Sequence, residues 1–199
     1  MNPLLEAEHE LHRAAEIMLS DSPLMGLLKQ LGQPIITGSY TTGLMTYPDI
    51  DLCIQSDTTT YQDLIKLIPK VHALLNERNL KVADFSKDET ESAICYIGVE
   101  FDYNNYLWHI SATITKPGPI GDLPDLPQLS QWLAKMTENE RITILKLKNE
   151  LLAAQRYGSS HAKPPYTYHS AQLYEGVLAG KAKTVEALDR YFTKYIKKD

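Results

Sequence analysis

The chain has only two cysteines, Cys53 and Cys95, each inside an apolar strand-like run. Two cysteines cannot build a disulfide-dense framework or a four-cysteine zinc site, and their apolar settings predict buried thiols. Long apolar runs are also missing. None approaches the roughly 18 residues that a membrane span needs. The start, MNPLLEAEHELHRAAE, carries acids every few residues, unlike a signal peptide. There is no excess of positive charge: 20 Lys and Arg stand against 25 Asp and Glu, for a net −5. That balance argues against generic binding to nucleic acid or an anionic membrane, though not against a local basic cleft. No repeat, low-complexity tract, Walker-type loop or Ser-His-Asp order is present. The expectation is a soluble cytoplasmic protein with one good core, or two small ones sharing an interface.

The patterning predicts helices and a small mixed sheet first, then a helical second part. Asn2-Pro3 is a helix start, after which Leu4, Leu5, Leu11, Ala15 and Met18 recur at helical spacing. Ser22-Pro23 repeats the start signal, with Gly32 as the end of a short second helix. PIIT (34–37) is a strand running into Gly38-Ser39, and a loop follows it. In DIDLCI (49–54), Ile50, Leu52 and Ile54 take one face while Asp49 and Asp51 take the other. Residues 60–78 form a helix with Leu64, Ile68, Val71 and Leu75 on one stripe, kinked or restarted at Pro69. LKVADF (80–85) is an edge strand. CYIGVEFDY, the turn Asn104-Asn105 and YLWHISATI make a hairpin. Its core face carries Ile97, Val99, Phe101, Trp108, Ile110, Ala112 and Ile114, and its other face Gly98, Glu100, Asp102, His109, Ser111 and Thr113.

After Thr115 the composition shifts. KPGPIGDLPDLP holds four prolines and two glycines and is expected to be a linker. Thr137 and Glu140 form a capping box that opens a helix to about Tyr157. A loop, GSSHAKPPYTYH, precedes short helices at about 170–179 and 184–197.

The chemistry concentrates in GSYTTGLMTYPDID (38–51). Asp49 and Asp51 stand at i and i+2 of one strand face, roughly 6.6 Å apart by strand rise. Two acids so placed repel each other unless something positive sits between them, and short side chains at that spacing can converge on a divalent cation. The Gly-Ser turn upstream exposes backbone N–H groups and a hydroxyl, a cradle for phosphate oxygens, and a glycine there lets a ligand approach the backbone. Alone, a D-x-D more often marks a solvated face. The combination, strand, Gly-Ser, loop, then strand with D-x-D, is far more specific.

That combination resembles the signature of the nucleotidyltransferase superfamily, to which DNA polymerase beta and the antibiotic nucleotidyltransferases belong. The matching residues are Gly38, Ser39, Asp49 and Asp51. The resemblance implies that the aspartates hold two Mg²⁺ ions and the Gly-Ser turn holds a nucleotide triphosphate. Together with the strand Tyr106–Ile114, TENERITILKLKNE and SAQLYEGVLAG, the motif is similar to a small bacterial antibiotic-nucleotidyltransferase-like subgroup with a helical segment after the catalytic domain.

One position departs from the pattern. The superfamily usually places a third acid on a neighbouring strand, in a segment reading roughly W-K-I-D, whereas this chain has WHIS and so Ser111. An ion contact near 4 Å at an effective dielectric of 20 is worth on the order of 4 kcal/mol, about three decades of rate if all of it falls in the transition state. By the hairpin register Glu100 lies opposite His109 on the polar face. Glu100 can reach in as the missing acid, or His109 can act as base. Alternatively the two form a solvent-side cross-strand pair.

On the helix from Thr137, residues 144, 145, 147, 151 and 152 form an apolar stripe with Arg141 and Lys148 near its middle and Lys146 pointing away. Two cations on such a face need an anion, either nucleotide phosphates or acids of the first domain; snorkelling is the further alternative. His9 and His12 are expected on a solvated face. The tyrosine-rich stretch 157–170 is either a ring-stacking surface or a plain loop.

The expectation is thus an α/β nucleotidyltransferase fold with a small mixed sheet (1–116), a Pro-rich linker (117–127) and a C-terminal helical domain (128–199), with the site in the cleft between the domains. The activity expected is Mg²⁺-dependent transfer of a nucleoside monophosphate from an NTP to a hydroxyl of a small molecule. Asp49 and Asp51 ligate two ions, or one without a third acid. Gly38, Ser39, Arg141 and Lys148 hold the phosphates, and Glu100, His109 or Ser111 complete the chemistry. The alternative is a degenerate module that binds nucleotide without catalysis.

Overall fold

The computed structural model describes residues 2–87, 93–118, 128–158 and 163–196. Most of the Pro-rich linker expected at 117–127, and part of the tyrosine-rich loop, lie outside the described residues. The chain divides into two units, one of His9–Ile120 and one of Met1–Glu8 with Gly121–Asp199.

In the first unit a five-stranded mixed sheet has the order β1-β2-β5-β4-β3. The strands are β1 (Gln33–Thr37), β2 (Asp49–Gln55), β3 (Asn79–Asp84), β4 (Ala93–Tyr103) and β5 (Tyr106–Thr115). All neighbours are antiparallel except β2 and β5, which run parallel. Strict alternation sets the layers. Ile50, Leu52 and Ile54 of β2 are buried together with Ile97, Val99, Phe101, Trp108, Ile110, Ala112 and Ile114. On this face the sheet packs into a core that includes Met18, Leu24, Leu27, Leu28, Leu64 and Val71. The other face carries Asp49, Asp51, Glu100, His109 and Ser111, together with Ile35, Cys53, Ala83 and Tyr96.

The hairpin forms as its turn demands. Asn104 and Asn105 have φ of 46° and 66°, the left-handed pair that a primed two-residue turn requires and that asparagine tolerates. Helix α1 (Pro3–Asp21) opens with Asn2 Oδ1 accepting from the Leu4 N–H at 2.9 Å.

Several boundaries differ from expectation for local reasons. Helix α2 (Leu24–Leu28) stops before Gly32. Three-residue turns close instead, from Gln30 to Leu27 and from Leu31 to Leu28, and Gly32 (φ +149°) is where the chain passes against β2. A Cβ at Gly32 would stand 2.4 Å from the Gln55 carbonyl oxygen. The stretch expected as a loop after Ser39 begins as a short helix, α3 (Gly38–Thr42), ended by left-handed Gly43 at φ 64°. Helix α4 (Tyr61–Leu75) runs through Pro69 without restarting and ends at left-handed Asn76. It buries Leu67 where Ile68 was expected.

In the second unit α5 (Leu129–Ala134), α6 (Glu138–Ala153), α7 (Ser170–Leu178) and α8 (Val185–Ile196) supply a core of Ile144, Leu145, Leu147, Leu151, Leu173, Val177 and Leu188. The Thr137–Glu140 capping box is present. Helix α6 ends at Ala153, short of Tyr157: Gln155 turns left-handed at φ 55°, the Arg156 N–H closes on the Leu151 carbonyl, and Tyr157 then bridges Tyr168.

Candidate active site

The site begins with β2. Its alternation puts Asp49 and Asp51 on the polar face of the sheet, opposite buried Ile50 and Leu52. Parallel pairing with β5 then sets His109 beside Asp49 and Ser111 beside Asp51. Antiparallel pairing of β5 with β4 continues both rows, with Glu100 beside His109 and Gly98 beside Ser111.

In the first row, His109 Nδ1 lies 2.9 Å from Asp49 Oδ1 and donates to it. This hydrogen bond is the main reason the His109 pKa is raised above its ordinary value, with the charges of Asp49, Glu100 and Asp51 adding and partial burial opposing. The imidazole thus turns an N–H donor toward the acid pair, and the acids favour its taking up a proton. His109 spends its hydrogen bond on Asp49 and not on Glu100 across the hairpin.

In the second row, Gly38 closes on the acids. It has φ +71°, and a Cβ there would stand 2.2 Å from Asp51 Oδ2. Only a residue without a side chain lets the Gly-Ser turn lie against that carboxylate. The next residue, Ser39, is buried, and its carbonyl accepts the Leu44 N–H at 2.9 Å. Ser111 Oγ lies 3.0 Å from the hydroxyl of Tyr96. Tyr96 was absent from the residues expected on this face. The signal was its place two residues from Gly98 in β4, where a large side chain can lie along the strand over a glycine.

The resemblance in the sequence implies Mg²⁺, an ion that takes oxygen donors. Among the described residues no group of three or more His, Cys, Asp or Glu side chains is placed to hold one metal ion. Mg²⁺ commonly takes only one or two protein carboxylates, completing its shell with substrate phosphates and water. Asp49 and Asp51 would be the two carboxylates to hold one such ion, and Ser111 would supply no charge for a second.

The two cations of α6 have partners within their own unit. Arg141 Nη2 lies 2.7 Å from Glu8 Oε2, and the Glu8 side chain is 1% exposed. Lys148, 2% exposed, sets its ammonium 5.4 Å from the ring centroid of Tyr157. Glu8 was not among the expected site residues, although it stands at helical spacing from Leu5 and Leu11 and so on their stripe. His12 stacks flat on Tyr40, with centroids 4.2 Å apart and planes 5° from parallel. In the tyrosine-rich stretch, Tyr168 is fully buried while Tyr166 is 77% exposed.

No family model matches the sequence, and no curated protein does. Solved structures do match. A chain of the poly(A) polymerase complex GLD-2–GLD-3 aligns over 92% of this chain at 14% identity, with a TM-score of 0.53. The likeness is one of fold: a mixed α/β unit with a five-stranded sheet, followed by helices. This chain spans 61% of the length of that polymerase structure's chain. A chain of the GLD-2/RNP-8 complex aligns over 78% of this chain and 55% of its own length at 13% identity, with a TM-score of 0.44. Among the described residues no helix is long and apolar enough to cross a membrane.

Proposed function

We propose that the protein is a Mg²⁺-dependent nucleotidyltransferase that moves a nucleoside monophosphate from an NTP to a hydroxyl of a small molecule. One observation carries the reading: the backbone of Gly38 lies against the carboxylate of Asp51, so the Gly-Ser turn and the acid pair make one site. In this reading Asp49 and Asp51 hold the ion, while Gly38 and Ser39 hold the triphosphate. When bound, Mg²⁺ offsets phosphate charge and makes the α-phosphorus a better electrophile.

The rest falls to the chain's own residues. The acceptor oxygen forms a bond to the α-phosphorus. The bond from that phosphorus to its bridging oxygen breaks, and pyrophosphate leaves with the electron pair. His109 Nδ1 donates to Asp49, which leaves Nε2 of the neutral ring to take the acceptor's proton. Glu100, next along the row, favours the resulting imidazolium by its charge. A small acceptor agrees with the acidic net charge of −5 and with the resemblance to the small bacterial subgroup.

Ser111 favours a second reading, a module that binds nucleotide without transferring it. Calorimetry with NTP, with and without Mg²⁺, separates both readings from neither. We expect Mg²⁺-dependent binding in the parent and its loss in Asp49→Ala. Metal-independent NTP affinity that survives Asp49→Ala would sink the site. Pyrophosphate release in the parent then distinguishes transferase from module.

A further inference from the structure

The position of the family's third acid is not simply vacated in this chain. Beside Asp51 on β5 stands Ser111, and beside Ser111 on β4 stands Gly98. Gly98 is buried, yet it contributes no side chain to the row. The space is taken by Tyr96, two residues earlier on the same strand face. A Cβ at position 98 would stand 2.5 Å from the Tyr96 hydroxyl oxygen and 3.1 Å from Cζ, so the ring runs along β4 across the glycine. The hydroxyl arrives 3.0 Å from Ser111 Oγ. Glycine inside a strand weakens it and marks a place where something else must approach closely. Here what approaches is the phenol.

We propose that Tyr96 is a further positioning residue of the site, orienting Ser111 beside Asp51 so that the hydroxyl pair holds the acceptor's hydroxyl where related sites carry a carboxylate. The inference rests on the transferase reading given above. Its chemistry follows from counting hydrogens. Two hydroxyls have two O–H donors between them, and their mutual bond uses one. The pair therefore keeps one donor and several lone pairs for a third hydroxyl. It adds no charge next to Asp49 and Asp51, so the local charge stays suited to a single divalent ion. The pair aligns the acceptor but takes no proton from it. Gly98 belongs to the device, because any side chain there would push the ring away from Ser111.

The test measures pyrophosphate release from Mg²⁺-ATP with water or glycerol as acceptor, alongside calorimetric binding of a non-hydrolysable NTP. Tyr96→Phe keeps the ring and removes the hydroxyl. We expect kcat to fall about tenfold or more while NTP affinity and the KM for NTP stay unchanged. Ser111→Ala should do the same, and Tyr96→Phe/Ser111→Ala should be no worse than either alone, because the two act as a unit. Gly98→Ala should reduce kcat in the parent but add little to the kcat loss in the Tyr96→Phe background, where no hydroxyl is left to move from Ser111, although ring carbons at 3.1 and 3.2 Å still meet the new Cβ and lower stability. A merely structural role would lower stability without this split between kcat and KM and without the coupling. Parent-like turnover in Tyr96→Phe overturns the proposal and leaves the transferase reading intact. A parent that binds NTP and releases no pyrophosphate overturns the positioning role and leaves a nucleotide-binding module. Absence of Mg²⁺-dependent NTP binding in the parent removes both.

Discussion

His109 donates from Nδ1 to Asp49 Oδ1 at 2.9 Å, joining two neighbouring strands of the sheet on its polar face. The Asp49 side chain is 14% exposed and the His109 side chain 42%. The bond therefore sits at the rim of the site, where it relieves part of the repulsion within the acid pair. A divalent ion would relieve the same repulsion. In His109→Asn we accordingly expect the metal-free protein to melt lower than the parent and to gain more from millimolar Mg²⁺. Thermal melts with and without Mg²⁺ check this. An equal Mg²⁺ gain in both proteins would mean that the imidazole and the ion do not share a role.

Gly38 makes a separate prediction. Its φ of +71° is unfavourable for any L side chain, and the Cβ of an alanine would stand 2.2 Å from Asp51 Oδ2. Left-handed backbone alone costs about 1–2 kcal/mol, and the contact forces Asp51 or the turn to move. Gly38→Ala should lower unfolding free energy by about 2 kcal/mol in urea melts and abolish Mg²⁺-dependent NTP binding. A variant with parent-like stability would show that the turn yields easily and that the close approach is not required.

The second unit offers a pH test. The Thr137 N–H donates to Glu140 Oε2 at 3.0 Å and Lys181 Nζ donates to Oε1 at 2.9 Å. The backbone bond, then the lysine, then the Thr137 hydroxyl hold the Glu140 pKa down to about 2. A depressed carboxylate contributes stability that is fully present above its unfolded value, near 4.3, and is lost as pH falls towards 2. The parent should therefore exceed Glu140→Gln in stability at pH 7, and the two should converge as pH drops through that window. Thr137→Ala should cost about 1 kcal/mol at pH 7, as loss of an N-cap does. A gap that persists unchanged at pH 2 would assign the Glu140 effect to packing.

Much of the fold was legible because it is written in alternation and turn chemistry. Ile50, Leu52 and Ile54 against Asp49 and Asp51 gave β2 its faces, and Asn104-Asn105 gave the hairpin its register, down to Glu100 opposite His109. What stayed hidden has two causes. Short elements carry too few residues for a period to show, so GSYTT gave no sign of α3. Partners distant in sequence depend on pairings that no local pattern encodes. The parallel alignment of β2 with β5 brings His109 to Asp49, and only the folded second unit brings Glu8 to Arg141. Tyr96 was hidden for a different reason. Alternation assigns a side chain to a face, not to the direction in which it lies, and the missing Cβ at Gly98 decides that direction.

Ser111 allows the missing charge to be restored. Ser111→Asp would place a third acid beside Asp51 in the parallel register, within reach of the Tyr96 hydroxyl that now meets Ser111 at 3.0 Å. Without metal a third negative charge among Asp49, Asp51 and Glu100 is repelled, so the apo variant should melt lower than the parent. With Mg²⁺ the order should reverse, since a third carboxylate gives a second ion a ligand. Turnover of NTP should then rise by up to about three decades, the rate equivalent of one ion contact of on the order of 4 kcal/mol. If Glu100 already serves as the third acid, the pattern inverts: Ser111→Asp brings little gain, and Glu100→Gln abolishes turnover in the parent. Melts with and without Mg²⁺, read beside pyrophosphate release, separate these outcomes. If neither variant changes metal binding or turnover, the acid pair is not a transferase site, and a nucleotide-binding module is the reading that stands.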